Sequence, residues 1–508
     1  MVLLIVAPAV KPCEPPAGVA RLYSALNRHG IACTVLDACI EGILQLARNP
    51  VRGSDRWTTR ARRNLDRNLD SLRSRAGYRN FDAYKRAVAD INRLLAMSVA
   101  DPSIHLSLAN YQADGLSPVK SADLVRAFEQ PEGNPFFPVF SARLTDIIEK
   151  ERPFLAGFSL NYLSQALCTF AMAGFISRRF PGIKIVLGGG LVTSWMRSPS
   201  WRSPFGGLID LLVDGPGEYA LLSLAGIEAS NPDPPLPDYT PFPMKDYLAP
   251  GPVVPYSAST GCYWNRCSFC PERAEGNPYV PVPTPKALED LHTLAVRTRP
   301  ALVHLLDNAV SPALLNAICT HPFGTPWYGF ARITRQFTDP DFCASLKRSG
   351  CVMLKLGIES GDQEVIDREN KGIDLDIASA ALKTLKRFGI ATYVYLLFGT
   401  PSEDLESARK TLRFTTSHSQ WIDYLNLAIF NLPLNSPDAI GLETSLLYEG
   451  DLSLYTGFRH PKGWDRAHVR HFLDREFRRH PAVAPILRRD PPFFTSNHAP
   501  FFAMNSPS

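Results

Sequence analysis

Three cysteines fall within nine residues, in Gly261-Cys262-Tyr263-Trp264-Asn265-Arg266-Cys267-Ser268-Phe269-Cys270. Soft thiolate sulfur concentrated on one short loop suits iron–sulfur and zinc sites. Three thiolates can hold three irons of a four-iron cubane, leaving the fourth iron open to a substrate or cofactor. Structural zinc normally takes four protein ligands. The next candidate, His292, lies beyond a proline-rich stretch and a helical pattern. An inert buried group of thiols is the third reading. The spacing favours iron–sulfur, with zinc and a metal-free cluster left open as alternatives.

Stepping outward from this loop, the chain shows two α/β series. The cysteines follow a run, Val254–Ser257, that opens the second series. Its further strand candidates are Leu302–Leu306, Trp327–Phe330, Val352–Gly357, Thr392–Phe398 and Trp421–Ile429, with helical patterns between most of them. Six strands joined by helices predict a partial (β/α)6 barrel over 254–430. The first series has runs at Val2–Val6, Ile31–Leu36, Phe154–Ser159, Ile183–Leu187 and Leu208–Val213. It predicts a doubly wound, Rossmann-like domain over 1–230, whose carboxyl-end loops line a ligand crevice. A basic insertion of one or two helices, or a small helical cap, interrupts it at about 44–115. A Pro-rich linker covers 231–253, and 431–508 reads as a small helical region and a tail too apolar to hang free. Within that last part, the basic Asp465–Arg479 could cap the barrel and hold an anion, and His498 could reach its cavity.

Hydrophobic residues make up 45% of the 508 and charged residues 20%, which excludes a disordered chain or a small disulfide scaffold. No charge-free apolar run reaches the length of a membrane span. Ten cysteines, not arranged as a secreted framework, fit a reduced, cytoplasmic setting. Between Arg48 and Arg93 there are 13 Arg and Lys against 5 Asp, although the whole chain carries only +5. That segment reads as a solvated helical face more readily than as a nucleic-acid surface.

The cysteine loop resembles that of the radical S-adenosylmethionine (SAM) superfamily. The family triad spaces its cysteines by three and then two residues, the second of the two aromatic. Cys267-Ser268-Phe269-Cys270 keeps that second half, while four residues separate Cys262 from Cys267. Further matches follow in the family's order. Gly357-Ile358-Glu359-Ser360-Gly361 is similar to the segment that meets the SAM ribose. Lys371-Gly372 is similar to the turn before the next helix, and Phe398-Gly399-Thr400-Pro401-Ser402-Glu403 to the fifth-strand loop. The resemblance implies a 4Fe-4S cluster on Cys262, Cys267 and Cys270. SAM chelates the open iron and is cleaved to methionine and a 5′-deoxyadenosyl radical. Glu359 and Ser360 then stand at the ribose, Gly399 at the adenine or methionine part, Asp307 at the amino group and Arg332 at the carboxylate. Glu403 reads as a residue of a first helical turn.

The first series is similar to the cobalamin-binding domain found in front of many such barrels. The matches are Pro16 and Gly18 after the first strand, Ser159 and Asn161 after the third, Gly188, Gly189 and Gly190 after the fourth, and Gly215 and Glu218 after the fifth. Glycines let loops pass beneath a wide corrin ring without side-chain obstruction. No histidine motif for a lower cobalt ligand occurs. Asp37-Ala38-Cys39-Ile40-Glu41-Gly42 mimics its spacing only by chance. The resemblance therefore implies a cobalamin-dependent methyltransferase acting on an unactivated carbon or phosphorus. It further implies a small-molecule or peptide substrate and an electron donor such as flavodoxin or ferredoxin. The alternatives are a cobalamin-independent radical enzyme with an empty first domain, and a nucleic-acid-binding or adaptor protein with a structural metal.

Overall fold

A computed structural model describes residues 1–228, 234–492 and 498–504. The expected boundary at 230, the start of the linker at Asn231, and Phe493–Asn497 of the tail lie outside the described residues. The chain divides into two compact units. One holds Met1–Pro252 with Glu449–Ser453 and Pro492–Phe494; the other holds Val253–Tyr448, Leu454–Pro491 and Thr495–Ser508.

The first unit is built on five parallel strands, β1 (Val2–Val6), β2 (Cys33–Asp37), β3 (Leu155–Ser159), β4 (Lys184–Gly188) and β5 (Leu211–Leu212). Their order across the sheet is β2-β1-β3-β4-β5. All five residues of β1 are buried, as expected for a central strand covered on both faces. The order reverses direction between β1 and β3, and that switch point is where an open α/β sheet forms its ligand crevice. Helices cover the faces, and Asp37 at the end of β2 shows how the sequence starts one of them. Its carboxylate accepts from the backbone N–H groups of Cys39 and Ile40, capping the helix Ala38–Arg48. The same carboxylate accepts from Tyr247 Oη at 2.6 Å.

The basic insertion is richer than one or two helices. It comprises Arg56–Arg63, Leu65–Leu72, Arg75–Arg79 and Phe81–Met97, followed by a hairpin, Ile104–Ser107 with Asn110–Ala113. Its apolar stripe (Leu65, Leu69, Leu72, Tyr84, Val88, Ile91) is buried. Several cations are paired within it, Arg60 with Asp90 and Arg93 with Asp55, both at 2.8 Å.

The second unit carries β6 (Val253–Tyr256), β7 (Leu302–Leu305), β8 (Trp327–Ala331), β9 (Cys351–Glu359), β10 (Ala391–Phe398) and β11 (Tyr424–Ile429). They lie side by side in chain order and all pairs are parallel. This is an open six-stranded barrel whose carboxyl ends carry the cysteine loop and the other expected residues. The region beyond β11 adds a three-stranded antiparallel sheet (Leu432–Pro433, Thr444–Leu446, Tyr455–Phe458) that the sequence reading did not anticipate. The basic helix is Arg466–Phe472, running on as a π-helical turn, Leu473–Phe477. His498 is buried against Tyr393 and Tyr424, near the starts of β10 and β11, and bonds Asp490 at 2.6 Å.

Candidate active site

The cysteine loop leaves β6 through Ser259–Thr260. Its three thiols are free and partly exposed. Burial pushes the Cys267 thiol up to about 11 and raises that of Cys270 as well. Cys267 lies within electrostatic range of Cys270, and Cys270 of Cys262. Among the described residues no three His, Cys, Asp or Glu side chains converge on one metal position. The donor chemistry nevertheless fits an iron–sulfur group. Two cations, Lys371 and Arg332, act on Cys267 and would offset the negative charge of a thiolate set.

Asn265 takes a left-handed conformation, φ 42°, which Asn tolerates better than most residues. Trp264 is held beneath Arg332, whose guanidinium lies 3.6 Å from the ring centroid, and donates Nε1–H to the Asn370 carbonyl at 3.0 Å. Arg332 in turn donates to the Gly372 carbonyl at 2.8 Å. Arg332 therefore stands beside the cysteine loop and ties that loop to the 370–372 turn.

Glu359 is the last residue of β9, and its placement explains the segment around it. The pairing of β9 with β10 shifts register between Gly357 and Glu359, and Glu359 itself has φ 68°. Such a conformation in a non-glycine residue costs on the order of 1 kcal/mol or more and persists only where surroundings enforce it. The enforcing contact is an ion pair with Lys371, Nζ to Oε1 2.7 Å, between two largely buried side chains. Burial works against the Lys371 charge, but Glu359 holds its pKa above the usual lysine value. A Cβ on Gly357 would stand 2.3 Å from Glu359 Oε1 and 2.8 Å from Lys371 Nζ, so the ends of both paired side chains would have to move.

Two expected cofactor residues also make bonds within the fold. Ser360 is buried and bonds Thr411 Oγ1 and the Asp362 N–H, anchoring the strand end to the helix Leu405–Ser417. Asp307 is buried beyond β7 and accepts from Ala258 N–H at 3.1 Å and Ser259 Oγ at 2.5 Å. Its carboxylate thus steadies the root of the cysteine loop. Gly399 follows β10 in a left-handed conformation, φ 83°.

Glu403 is not in a first helical turn as expected: the next helix starts at Leu405 and is capped by Asp404. It is buried, and its Oε2 accepts from Gly399 N–H and from Trp464 Nε1–H. Burial raises its pKa to about 8, and that of Glu369 likewise to about 8. Sequence reasoning missed Trp264, Lys371 as a partner of Glu359, and Trp464. The only available signals were an aromatic inside the cysteine gap and the Lys371-Gly372 turn.

In the first unit, the expected residues gather at the carboxyl ends of the strands. Ser159 and Gly188 are the paired last residues of β3 and β4. Asn161 bridges them to the next turn, donating to Ser159 Oγ at 3.0 Å and accepting from Gly190 N–H at 2.9 Å. Gly189 has φ 105°, and a Cβ there would lie 2.5 Å from the Leu160 carbonyl oxygen. A Cβ on Gly188 or Gly190 would meet nothing nearer than 3.6 Å, and one on Gly18 nothing within 4 Å. This floor of small residues fits a wide, flat ring. Pro16 precedes the helix Ala17–Arg28, Gly215 accepts a turn at φ 71°, and Glu218 pairs with Arg21 at 2.9 Å.

Residues 256–415 match the model of the Radical SAM superfamily. That stretch is a radical SAM domain, and the fold of the chain is similar to that of solved cobalamin-dependent radical SAM enzymes. Among solved structures it is similar to the radical SAM methyltransferase TsrM from Kitasatospora setae with cobalamin and a 4Fe-4S cluster bound. There the identity is 16%, the TM-score 0.52, and the coverage 88% of this chain and 81% of that one. It is also similar to the cobalamin-dependent radical SAM enzyme OxsB with aqua-cobalamin and SAM bound, at 13% identity and TM-score 0.57. That match covers 93% of this chain and 66% of OxsB. At these identities the likeness is one of fold. A curated relative, the uncharacterized methyltransferase PH0819 of Pyrococcus horikoshii, is 26% identical over 205 residues, 38% of this chain. This chain spans 43% of that relative's length. Among the described residues no helix is long and apolar enough to cross a membrane.

Proposed function

We propose that this chain is a cobalamin-dependent radical SAM enzyme that methylates an unactivated carbon or phosphorus centre of a small-molecule or peptide substrate. The observation that carries the radical half is the set of three free thiols on the loop after the first strand of a radical SAM domain. The methyl-transfer half is supported by the small-residue floor of the first unit and by relatives described as methyltransferases. When bound, a 4Fe-4S cluster supplies the electron that splits SAM, and cobalamin supplies a methyl carrier.

Cys262, Cys267 and Cys270 would hold the cluster, with Lys371 and Arg332 offsetting its charge. Glu359, held by Lys371, accepts hydrogen bonds from the ribose hydroxyls. Arg332 faces the methionine carboxylate, and Gly399 lets the loop after β10 come close to the nucleoside. Ser159, Asn161 and Gly188–Gly190 line the floor for the corrin. Reducing equivalents come from a small electron-transfer protein such as flavodoxin or ferredoxin. The setting is the reduced cytoplasm.

The test is iron, sulfide and cobalt stoichiometry on protein produced with a cobalamin supply and purified without oxygen. About four irons and one cobalt per chain are expected. The triple variant Cys262→Ala, Cys267→Ala, Cys270→Ala should lose the iron and keep the cobalt. Iron without cobalt, even after reconstitution, would remove the methyltransferase half and leave direct hydrogen abstraction. Absence of both would remove the enzyme reading.

A further inference from the structure

The loop after β10, residues 399–404, is gripped almost atom by atom by a segment some 60 residues later, His460-Pro461-Lys462-Gly463-Trp464. Trp464 donates Nε1–H to Glu403 Oε2 at 2.9 Å, the oxygen that also accepts from Gly399 N–H. His460 Nε2 bonds the Thr400 carbonyl at 2.8 Å. Its Nδ1 accepts from the N–H groups of both Lys462 and Trp464 at 3.2 Å. Only the tautomer with the proton on Nε2 satisfies all three bonds, so His460 serves as a neutral bridge. Burial holds its pKa below the usual histidine value, in keeping with that role. Lys462 donates to the Ser402 carbonyl at 2.6 Å and pairs with Asp404 at 3.1 Å. Val469, one helical turn further on, lies under Gly399, where a Cβ would come within 3.1 Å of it.

We propose that the 460–464 segment is a clamp that sets the shape of the 399–404 loop for SAM, with Trp464, His460 and Lys462 as positioning residues. The inference rests on the reading of Gly399 as part of the SAM pocket. The clamp directs its polar groups to loop carbonyls and to the Glu403 and Asp404 carboxylates. Its effect is therefore preorganisation, which lowers the cost of ordering the loop when ligand binds. It also gives the region beyond the barrel a part in cofactor binding that the barrel residues alone do not reveal.

The experiment uses the full chain with its cluster reconstituted. It reads SAM binding by equilibrium dialysis and backbone hydrogen exchange over 399–404 without nucleotide. Trp464→Phe deletes one N–H from a buried bond, and Lys462→Met deletes an exposed ammonium, so the second variant keeps the test usable if the first unfolds. Each should speed exchange in the loop and weaken SAM binding about five- to tenfold, with iron content unchanged. Glu403→Ala should do the same, and Glu403→Gln, which retains an acceptor oxygen, should recover most of the loss. Unchanged exchange and affinity in both Trp464→Phe and Lys462→Met would overturn the clamp. If the unaltered protein binds no SAM although its iron is complete, the reading of the pocket fails. The exchange data then still decide whether the clamp orders the loop.

Discussion

At the residue scale, the site is governed by two buried carboxyl environments of opposite character. Glu359 has a cation against it, whereas Glu403 is met by two N–H donors. A methyl on Gly357 would enter the space of the Glu359–Lys371 pair. Gly357→Ala should therefore break that pair and weaken SAM binding by about tenfold, measured by dialysis, while the three thiols still take up iron. Glu403 carries a pH signature. Its proton is kept up to about pH 8 in the folded chain but released near the ordinary glutamate value of about 4.3 when unfolded. The unfolded state binds fewer protons across that window, so this residue makes stability fall as pH rises from about 4.5 to 8 and stay level above. Asp404 and Asp362 add to the effect by repelling its charge. Glu403→Gln should remove that slope, so the difference in Tm between variant and parent should widen in the variant's favour from pH 5 to 8. Parallel curves would count against it. The cysteine loop and the Gly357–Gly361 run were legible in the sequence because their chemistry is local. The Lys371 pairing, the burial of Ser360 and the commitment of Asp307 were not, since each depends on a partner that only the folded chain brings close.

At the element scale, most strands of both sheets were readable as apolar runs, and the loops at their carboxyl ends as breaks of small and polar residues, although the run Leu208–Val213 forms a strand only at Leu211–Leu212. What periodicity could not show was how tightly those ends are fastened. Leu160 N–H donates to the Gly188 carbonyl at 2.8 Å and Leu191 N–H to the Leu160 carbonyl at 3.2 Å. Gly189 lies between these two bonds, against the Leu160 backbone. Gly189→Ala should cost about 2–4 kcal/mol, from the strained φ and the backbone clash together. Gly190→Ala, with room for its methyl, should cost much less. Thermal denaturation of the two variants checks the contrast, and equal Tm values would refute it. The insertion was read too simply because Arg recurs through all its helices. The breaks at Asn64, Ser74 and Asn80 are caps that blend into a polar stretch. The small antiparallel sheet beyond β11 escaped notice because its strands have only two to four residues and little apolar signal.

At the scale of the whole molecule, the two units are not two consecutive lengths of chain. Glu449–Ser453 returns to the first unit. There Asp451 Oδ1 accepts from Ser121 N–H at 2.8 Å, at the start of a helix that has no side-chain cap of its own. Leu452 N–H bonds the Val119 carbonyl, and Lys120 pairs with Glu449. Asp451→Ala should destabilise the start of helix Ser121–Glu129 by about 1 kcal/mol. Faster hydrogen exchange confined to that turn is the expected readout, and unchanged exchange would dismiss the contact as incidental. No pattern in the sequence announces a partnership across 330 residues. Its consequence lies in the order of manufacture. A ribosome adding about 5–20 residues per second reaches Asp451 roughly 15–65 seconds after Ser121. During that interval the nascent first unit waits with the amino end of one helix unsealed, and a fragment ending at Pro252 never receives the seal.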